Sequence, residues 1–581
     1  MNHRSAHPTP PIGARHRGRR PRGATARLSA AIGLLLSGMG AAQAQDAGQL
    51  LRQSQGAPTP ALPERADSKT VVPAPAALGL PGDARVRVQR FELRGQQLID
   101  EATLQAVLNS YLGRELRYQD LQDAMAALMR QYRDAGRLAR AYLPAQDVTA
   151  GVVKVVIVEA RYGGTRVEQR GERLNAALPQ AMVEAGQTLG EAIDLVALDR
   201  ALLLVADLPG VRASASLTPG DVAGQTRVAL RLQDAPRLTG QAGLANAGSR
   251  ATGEAQAQAA LSLPGLFGRG DLLTAQWSQS RGSSILGASA GLPLGPHGLR
   301  MGAHVSALRY RLVADEFQAL QARGSSSVLG ADLHYPLLRS RDANLLVSGS
   351  AEHKRFENEA NGATVSDYST QTLALTLAGN RHDALGGVNT GSVDLVAGRL
   401  KLGGSPHREA DAAGPGTEGR FTLLRLAAAR EQGLAAGWSA RAALRGQWSS
   451  RNLDSSEKFY LGGMQGVRAY PSGEAGGSQG QLLSLELRQR LGAWRWAGFV
   501  DWGQVRIHVD NGFAGAAAVN GVTLKGLGLS LGYAAPAGLD LALIWARRIG
   551  HNPLADAQGR DLDGSRRANR LWLQATLPFQ L

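Results

Sequence analysis

The stretch Gln481-Leu-Leu-Ser-Leu-Glu-Leu-Arg-Gln-Arg-Leu491, the link Gly492–Arg495 and the stretch Trp496-Ala-Gly-Phe-Val-Asp-Trp-Gly-Gln-Val-Arg506 decide the fold. Apolar and polar residues alternate in both. A period of two belongs to a β-strand with two unlike faces. Leu483, Leu485 and Leu487 fall on one face, and Ser484, Glu486 and Arg488 on the other. A link this short predicts a hairpin of two antiparallel strands.

The pattern continues in both directions. Downstream lie Thr523–Tyr533, Leu539–Arg548 and Leu571–Phe579. Upstream lie Trp438–Trp448, Phe421–Arg430, Gly391–Lys401, Thr370–Gly379, Leu345–Phe356, Ser326–Tyr335, Leu299–Leu312 and Asp271–Ser280. Weaker segments stand near 283–294, 253–263 and 238–249. Sixteen strands across residues 236–581 leave about 22 residues per strand and connection, the economy of a transmembrane antiparallel β-barrel. The links alternate in length. Gly295–Gly298, Pro336–Asn344, Glu431–Gly437, Gly492–Arg495 and Ala534–Gly538 are short. Residues 357–369, 402–420, 449–480, 507–522 and 549–570 are long. Short turns on one side of a membrane and long loops on the other is the outer-membrane pattern. A soluble β-sandwich or propeller leaves that asymmetry unexplained.

Composition fits this reading. No run of 18 apolar residues occurs, so no transmembrane helix is expected. There is no cysteine, which excludes thiol catalysis, zinc–thiolate sites and a disulfide scaffold. The formal net charge is +16, and seven arginines with no acid lie in residues 1–44. Arg15, Arg17, Arg19, Arg20, Arg22 and Arg27 precede the apolar stretch Leu28–Ala41, and Ala42-Gln43-Ala44 is a small-x-small cleavage site. Residues 1–44 therefore read as a secretory signal peptide, with Gln45 the first mature residue. The other reading, a basic arm for nucleic acid, needs neither the leucines nor the cleavage site, so no nucleic-acid partner is expected.

Residues 45–56 contain a short helix with Asp46 as its cap and Leu50 and Leu51 on its apolar side. Residues 57–83 hold six prolines among many alanines and read as an extended linker. A small helix on a long tether suits an element that docks at a distance, here as a plug in the barrel. Residues 84–160 and 161–235 then repeat one β-α-α-β-β order. In the first, Val86 to Leu93 is a strand, Leu104–Leu112 and Leu121–Tyr132 are helical, and Ala139–Pro144 and Val152–Val158 are strands. In the second, Thr165–Gln169 is a strand and Leu174–Glu184 and Ile193–Val205 are helices. Val211–Leu217 and Thr226–Leu232 close the unit. An open-edged sheet with helices on one face suits the pairing of an extended guest strand, although two spacer domains would share the order.

The link 449–480 carries the sharpest motif, Gly466-Val467-Arg468-Ala469-Tyr470-Pro471. In the strand Trp496–Arg506, Phe499, Asp501 and Gly503 form a second one. Asp501 stands between Val500 and Trp502, so if those face lipid it faces the lumen. There a cation would favour it, and a loop folded inward could supply Arg468. The residues alone leave two readings, an Arg468–Asp501 ion pair or two separately solvated charges. Gly476-Gly-Ser-Gln-Gly480 has the spacing of a hydrolase nucleophile elbow but lacks the strand before it and the helix after it. Arg269-Gly270-Asp271 spells an adhesion tripeptide inside an expected periplasmic turn. No catalytic residue, metal site, nucleotide site or cofactor is expected.

The layout resembles the outer-membrane transporters of two-partner secretion, the TpsB family of haemolysin and haemagglutinin secretion-activation proteins, within the superfamily of POTRA-containing barrels. Val467-Arg468-Ala469-Tyr470 is similar to that family's VRG(Y/F) loop motif, Phe499-Val-Asp-Trp-Gly503 to its FxDxG strand motif, and Ala141-Tyr-Leu-Pro-Ala-Gln146 to its AYLPxQ strand. Ala469 replaces a common glycine, and Phe579 stands third from the end where such barrels usually finish on an aromatic. The resemblance implies two POTRA-like domains in the periplasm before a sixteen-stranded, monomeric barrel in outer-membrane lipid. It implies that a large exoprotein is recognised by its N-terminal secretion domain and exported without nucleotide. It favours the ion-pair reading. The alternatives are an outer-membrane assembly insertase, which tends to carry more POTRA units and no plug helix, and a passive porin, which has no use for residues 84–235. A surface-displayed enzyme is the weakest.

Overall fold

The computed structural model describes residues 45–55, 62 and 85–581, apart from 170, 174 and 223. The signal peptide expected over 1–44 and nearly all of the linker expected over 57–83 lie outside the described residues.

In the first α/β unit Arg90–Arg94 runs parallel to Val152–Glu159, which pairs antiparallel with Ala139–Tyr142. Alternation turns Phe91, Leu93, Val153, Val155 and Ile157 to one face. There they meet Leu104 and Leu108 of the helix Glu101–Leu108 and Leu121, Met125, Leu128 and Tyr132 of the helix Tyr118–Asp134. Burying each such side chain contributes about 1.5–3 kcal/mol. Asp100 caps the first helix by accepting from the Thr103 N–H, and Gly136, at φ +71°, stops the second. The single strand expected from Val86 to Leu93 is two strands. Arg85–Arg87 pairs with an unforeseen strand, Glu115–Arg117, and Arg90–Arg94 joins the main sheet.

The second unit repeats the plan. Arg161–Gln169 is parallel to Gln225–Asp234, which is antiparallel to Val211–Pro219. Its first helix is Ala177–Glu184, later than expected. Pro179 is therefore in the first turn, where its missing N–H costs no helical hydrogen bond. The second helix is Leu195–Ala206, capped by Asp194, so Ile193 lies before it while still filling the core. Only Ala160 separates the last strand of one unit from the first of the next, and its N–H donates to Leu138 O.

Residues from Thr239 onward form a closed antiparallel barrel of sixteen strands, from Thr239–Ala245 to Asn569–Gln580, which pair with each other to close it. Leucines on the outer face, among them Leu244, Leu329, Leu373, Leu485, Leu529 and Leu571, stay exposed as a lipid-facing surface must. Phe579 sits over Gly240 of the first strand, where any side chain would collide with the ring. One expected loop is absent. Residues 357–369 belong mostly to the strands Ala343–Ala360 and Ala363–His382, joined by Asn361 and Gly362 alone. Both have positive φ, 50° and 74°. Asn-Gly is the strongest short hairpin signal in a sequence, and the polar residues around it hid the strand ends.

Barrel and second unit are locked together. Arg339 makes two bonds to Asp207, Nε to Oδ2 at 2.7 Å and Nη2 to Oδ1 at 2.8 Å. Arg341 grips Asp199 in the same way, and Arg200 Nη2 donates to Pro336 O at 2.6 Å.

Candidate functional site

The longest link folds back into the barrel. It leaves the strand Trp438–Ser449 and re-enters the wall at Gln479–Leu491. Phe459–Tyr460 pairs with Gly476–Gly477, making the loop a hairpin whose tip holds the Val467–Tyr470 motif. The tip is tight because the Val467 N–H donates to Leu461 O at 2.7 Å and that of Tyr470 to Val467 O at 3.1 Å. A Cβ on Gly466 would collide with Leu461 O, so only glycine fits there. Leu461, Val467, Ala469 and Tyr470 are wholly buried against Leu482, Phe499, Val505, Val522 and Leu524 of the wall.

Arg468 and Asp501 lie together. Arg468 Nε donates to Asp501 Oδ2 at 2.8 Å and Nη2 to Oδ1 at 2.7 Å, and the Arg468 main-chain N–H reaches Oδ2 at 3.1 Å. Alternation along Trp494–Arg506 turns Asp501 inward, where it has no solvent exposure, while Val500 is 48% exposed on the outer face. Three further partners were not foreseen. Glu486 Oε1 accepts from Arg468 Nη1 at 2.8 Å, and Ser484 Oγ from Nη2 at 2.9 Å. The guanidinium carbon lies 3.4 Å from the centre of the Phe499 ring, a cation–π contact. All three follow from register, since Ser484 faces Asp501 and Glu486 faces Phe499 across the hairpin. Trp572 Nε1, from the last strand, donates to Arg468 O at 2.8 Å.

The remaining motif residues shape the seat. A Cβ on Gly503 would come within 2.6 Å of Leu461 and 3.2 Å of Val467, so this glycine admits the loop. The Ala469 methyl is accommodated because Gly526 faces it, and a Cβ there would approach to 2.8 Å. The Tyr470 ring lies under Arg548, 4.6 Å from its guanidinium carbon. Glu474 accepts from Asn552 Nδ2 and from the Leu562 N–H, each at 3.0 Å, tying the hairpin to the link that precedes the last strand.

A helix occupies the lumen beside the loop. It spans Ala47–Ser54, with Asp46 accepting from the Gln49 N–H as its cap. The Ala47 N–H donates to Asn358 Oδ1 of the wall at 2.9 Å, Ser455 Oγ of the loop to Asp46 Oδ1 at 2.9 Å, and Gln49 Nε2 to Gly473 O at 3.1 Å. Gly48 lies so close to Tyr368 and Ser455 that a Cβ would come within 2.5 Å and 2.7 Å of their hydroxyls. A cavity of about 1290 Å³ remains between this helix, the loop and a wall lined by Gln241, Gln258, Thr274 and Gln276. The lumen thus holds both segments, with this cavity left beside them.

The other sequence motifs have structural roles. Ser478 is fully buried, donates to Ile507 O and accepts from the Leu453 N–H. Asp271 closes its turn by accepting from the N–H groups of Phe267 and Arg269. Among the described residues no group of three or more His, Asp or Glu is placed to hold a metal ion.

Residues 224–528, more than half of the chain, match the family described as haemolysin secretion/activation protein ShlB/FhaC/HecB. The chain belongs to this family. Residues 86–160 match the POTRA domain, ShlB-type. Among relatives, the heme/hemopexin transporter protein HuxB of Haemophilus influenzae (strain 86-028NP) is 25% identical over 458 residues, 77% of this chain and 80% of that protein. The outer membrane transporter CdiB of Dickeya dadantii (strain 3937) is 26% identical over 423 residues, 71% of this chain and 72% of that one. The solved structure of CdiB from Escherichia coli shares the fold at a TM-score of 0.63 and 18% identity, over 97% of this chain and 100% of that one. BamA from Haemophilus ducreyi lacking POTRA domains 1–3 shares it at 0.54 and 13%, over 85% of this chain and 100% of that one. The transporter is an outer-membrane barrel of two-partner secretion with its POTRA region in the periplasm, and it exports an exoprotein.

Proposed function

We propose that the transporter recognises its large partner through that protein's N-terminal secretion domain, which adds a strand to the sheets of residues 84–235. The partner then crosses the lumen unfolded and folds outside. No nucleotide is consumed, and folding of the emerging chain gives direction. The barrel acts as a monomer in lipid and carries out no covalent chemistry. The observation that carries this reading is the occupied lumen. The helix Ala47–Ser54 and the hairpin tip at Arg468 both occupy the path, and each is held by hydrogen bonds and ion pairs that can be exchanged. Arg468–Asp501 fixes the hairpin to the wall while the partner passes or waits. The test is a pull-down with the full transporter and its partner. Capture should depend on the partner's N-terminal domain and fail when the exposed edge strand Ala139–Tyr142 is blocked by Ala141→Pro, since the register turns the Ala141 N–H to the free edge. Undiminished capture by that variant would move recognition elsewhere.

A further inference from the structure

The hairpin meets a second cluster of charge before it reaches its tip. Glu457 is 2% exposed. Its Oε1 accepts from Lys354 Nζ at 3.1 Å and its Oε2 from Arg425 Nη2 at 2.8 Å. Gln447 joins the same knot, since its Nε2 donates to Glu457 O and its Oε1 accepts from Arg425 Nε, each at 2.9 Å. Lys354 also meets Glu352 at 3.0 Å. Lys354 belongs to the strand Ala343–Ala360, six strands round the barrel from the strand of Asp501. The hairpin is therefore held at two places on two sides of the lumen, through Glu457 at its foot and Arg468 at its tip.

The foot also lies beside the helix. Ser455, two residues before Glu457, donates to the helix cap Asp46. Arg52, in the last turn, is near enough for its charge to act on both Glu457 and Arg425. Glu457 thus stands among Lys354, Arg425 and Arg52. Lys354 is buried and the two arginines are partly so, and cations held this close need a carboxylate beside them; Lys354 has Glu352 as well, but Glu457 is the one bonded to both Lys354 and Arg425.

We propose that Glu457 is a positioning residue for transport: with Lys354 and Arg425 it straps the foot of the hairpin across the lumen and makes the seat on which the helix rests. Without its charge the foot loosens, Lys354 keeps only Glu352, and Arg425 and Arg52 lose the carboxylate beside them, so the helix leaves more often. The inference rests on the helix and hairpin closing the path, as set out under the proposed function. It concerns closure alone, so it can be read without a partner protein.

Single-channel recording in planar bilayers tests it, using the full transporter and variants whose folding is verified by the heat-dependent shift of the barrel on gels. Glu457→Gln should raise the open fraction about threefold or more, and Lys354→Gln should raise it less, because Arg425 still holds the carboxylate. The double variant Glu457→Gln/Lys354→Gln should open no more than Glu457→Gln alone, because both changes remove one shared interaction. Arg52→Gln added to Glu457→Gln should restore part of the closure. Wild-type openings in folded Glu457→Gln, or additive effects in the double variant, overturn the proposal. If Glu457→Gln fails to fold, Lys354→Gln and Arg425→Gln decide from the wall side, and wild-type openings in both overturn it. A channel that loosens as expected while the partner is not exported would refute the export reading and leave the strap intact.

Discussion

Asp501 takes three hydrogen bonds from a single residue, Arg468: two from the guanidinium and one from the main chain. The main-chain bond fixes the hairpin tip and the side-chain fork fixes its rotation, so the pair acts as a two-part peg. Arg468→Ala or Asp501→Ala should leave a barrel that reaches the membrane but exports less. Breaking such a pair costs about 3–5 kcal/mol when dry and less in a wet lumen. The swap Arg468→Asp with Asp501→Arg should recover only part of the export, since the carboxylate moved onto the hairpin tip would face Glu486. Export assays on folded barrels decide it, and full export by both single variants would remove the peg from the mechanism.

The helix Ala47–Ser54 should act as a plug. Deleting residues 46–55 is expected to raise single-channel conductance. Gly48→Val should do the same by steric exclusion, because its side chain would overlap the hydroxyls of Tyr368 and Ser455. Unchanged conductance in both variants would show that the helix does not close the pore.

Gly503 should be intolerant of any larger side chain for a reason unrelated to backbone freedom. A Cβ there meets Leu461 and Val467 of the hairpin. Gly503→Leu should keep the barrel closed and folded but unseat the hairpin, exposing 459–480 to added protease. Protection equal to the wild type would contradict the packing argument.

Much of this was legible in the sequence, and the failures have physical causes. Alternation located all sixteen strands and put Asp501 on the face opposite Val500 and Trp502, because a period of two needs no tertiary knowledge. It could not supply Ser484, Glu486 or Phe499 as partners of Arg468, since these depend on register between strands, which turn geometry and packing set. Glu457, Lys354 and Arg425 are far apart in sequence, and no local pattern marks them. The hairpin at Asn361–Gly362 was readable from its turn residues, but the polar runs on both of its strands have the composition of a loop.

The clamps between barrel and second POTRA-like unit should fix their relative orientation. Arg339 is 4% exposed, so Asp207→Ala leaves it nearly buried and unpaired, at a cost of about 1–3 kcal/mol. Spin labels on the unit and on the barrel rim should give one narrow distance distribution in the wild type and a broader one in Asp207→Ala/Asp199→Ala. Equal widths would mean that the bonds from Arg200 to Pro336 O and from Arg173 Nη1 to Pro264 O suffice.

The central claim is that this barrel exports a protein partner through a lumen gated by its own helix and hairpin. The most direct measurement is the amount of the partner exoprotein that reaches the medium of cells carrying wild-type transporter, no transporter, or Asp501→Ala at equal barrel abundance in the membrane. Release is expected with the wild type, absent without the transporter, and strongly reduced with Asp501→Ala. Equal release in all three would contradict it.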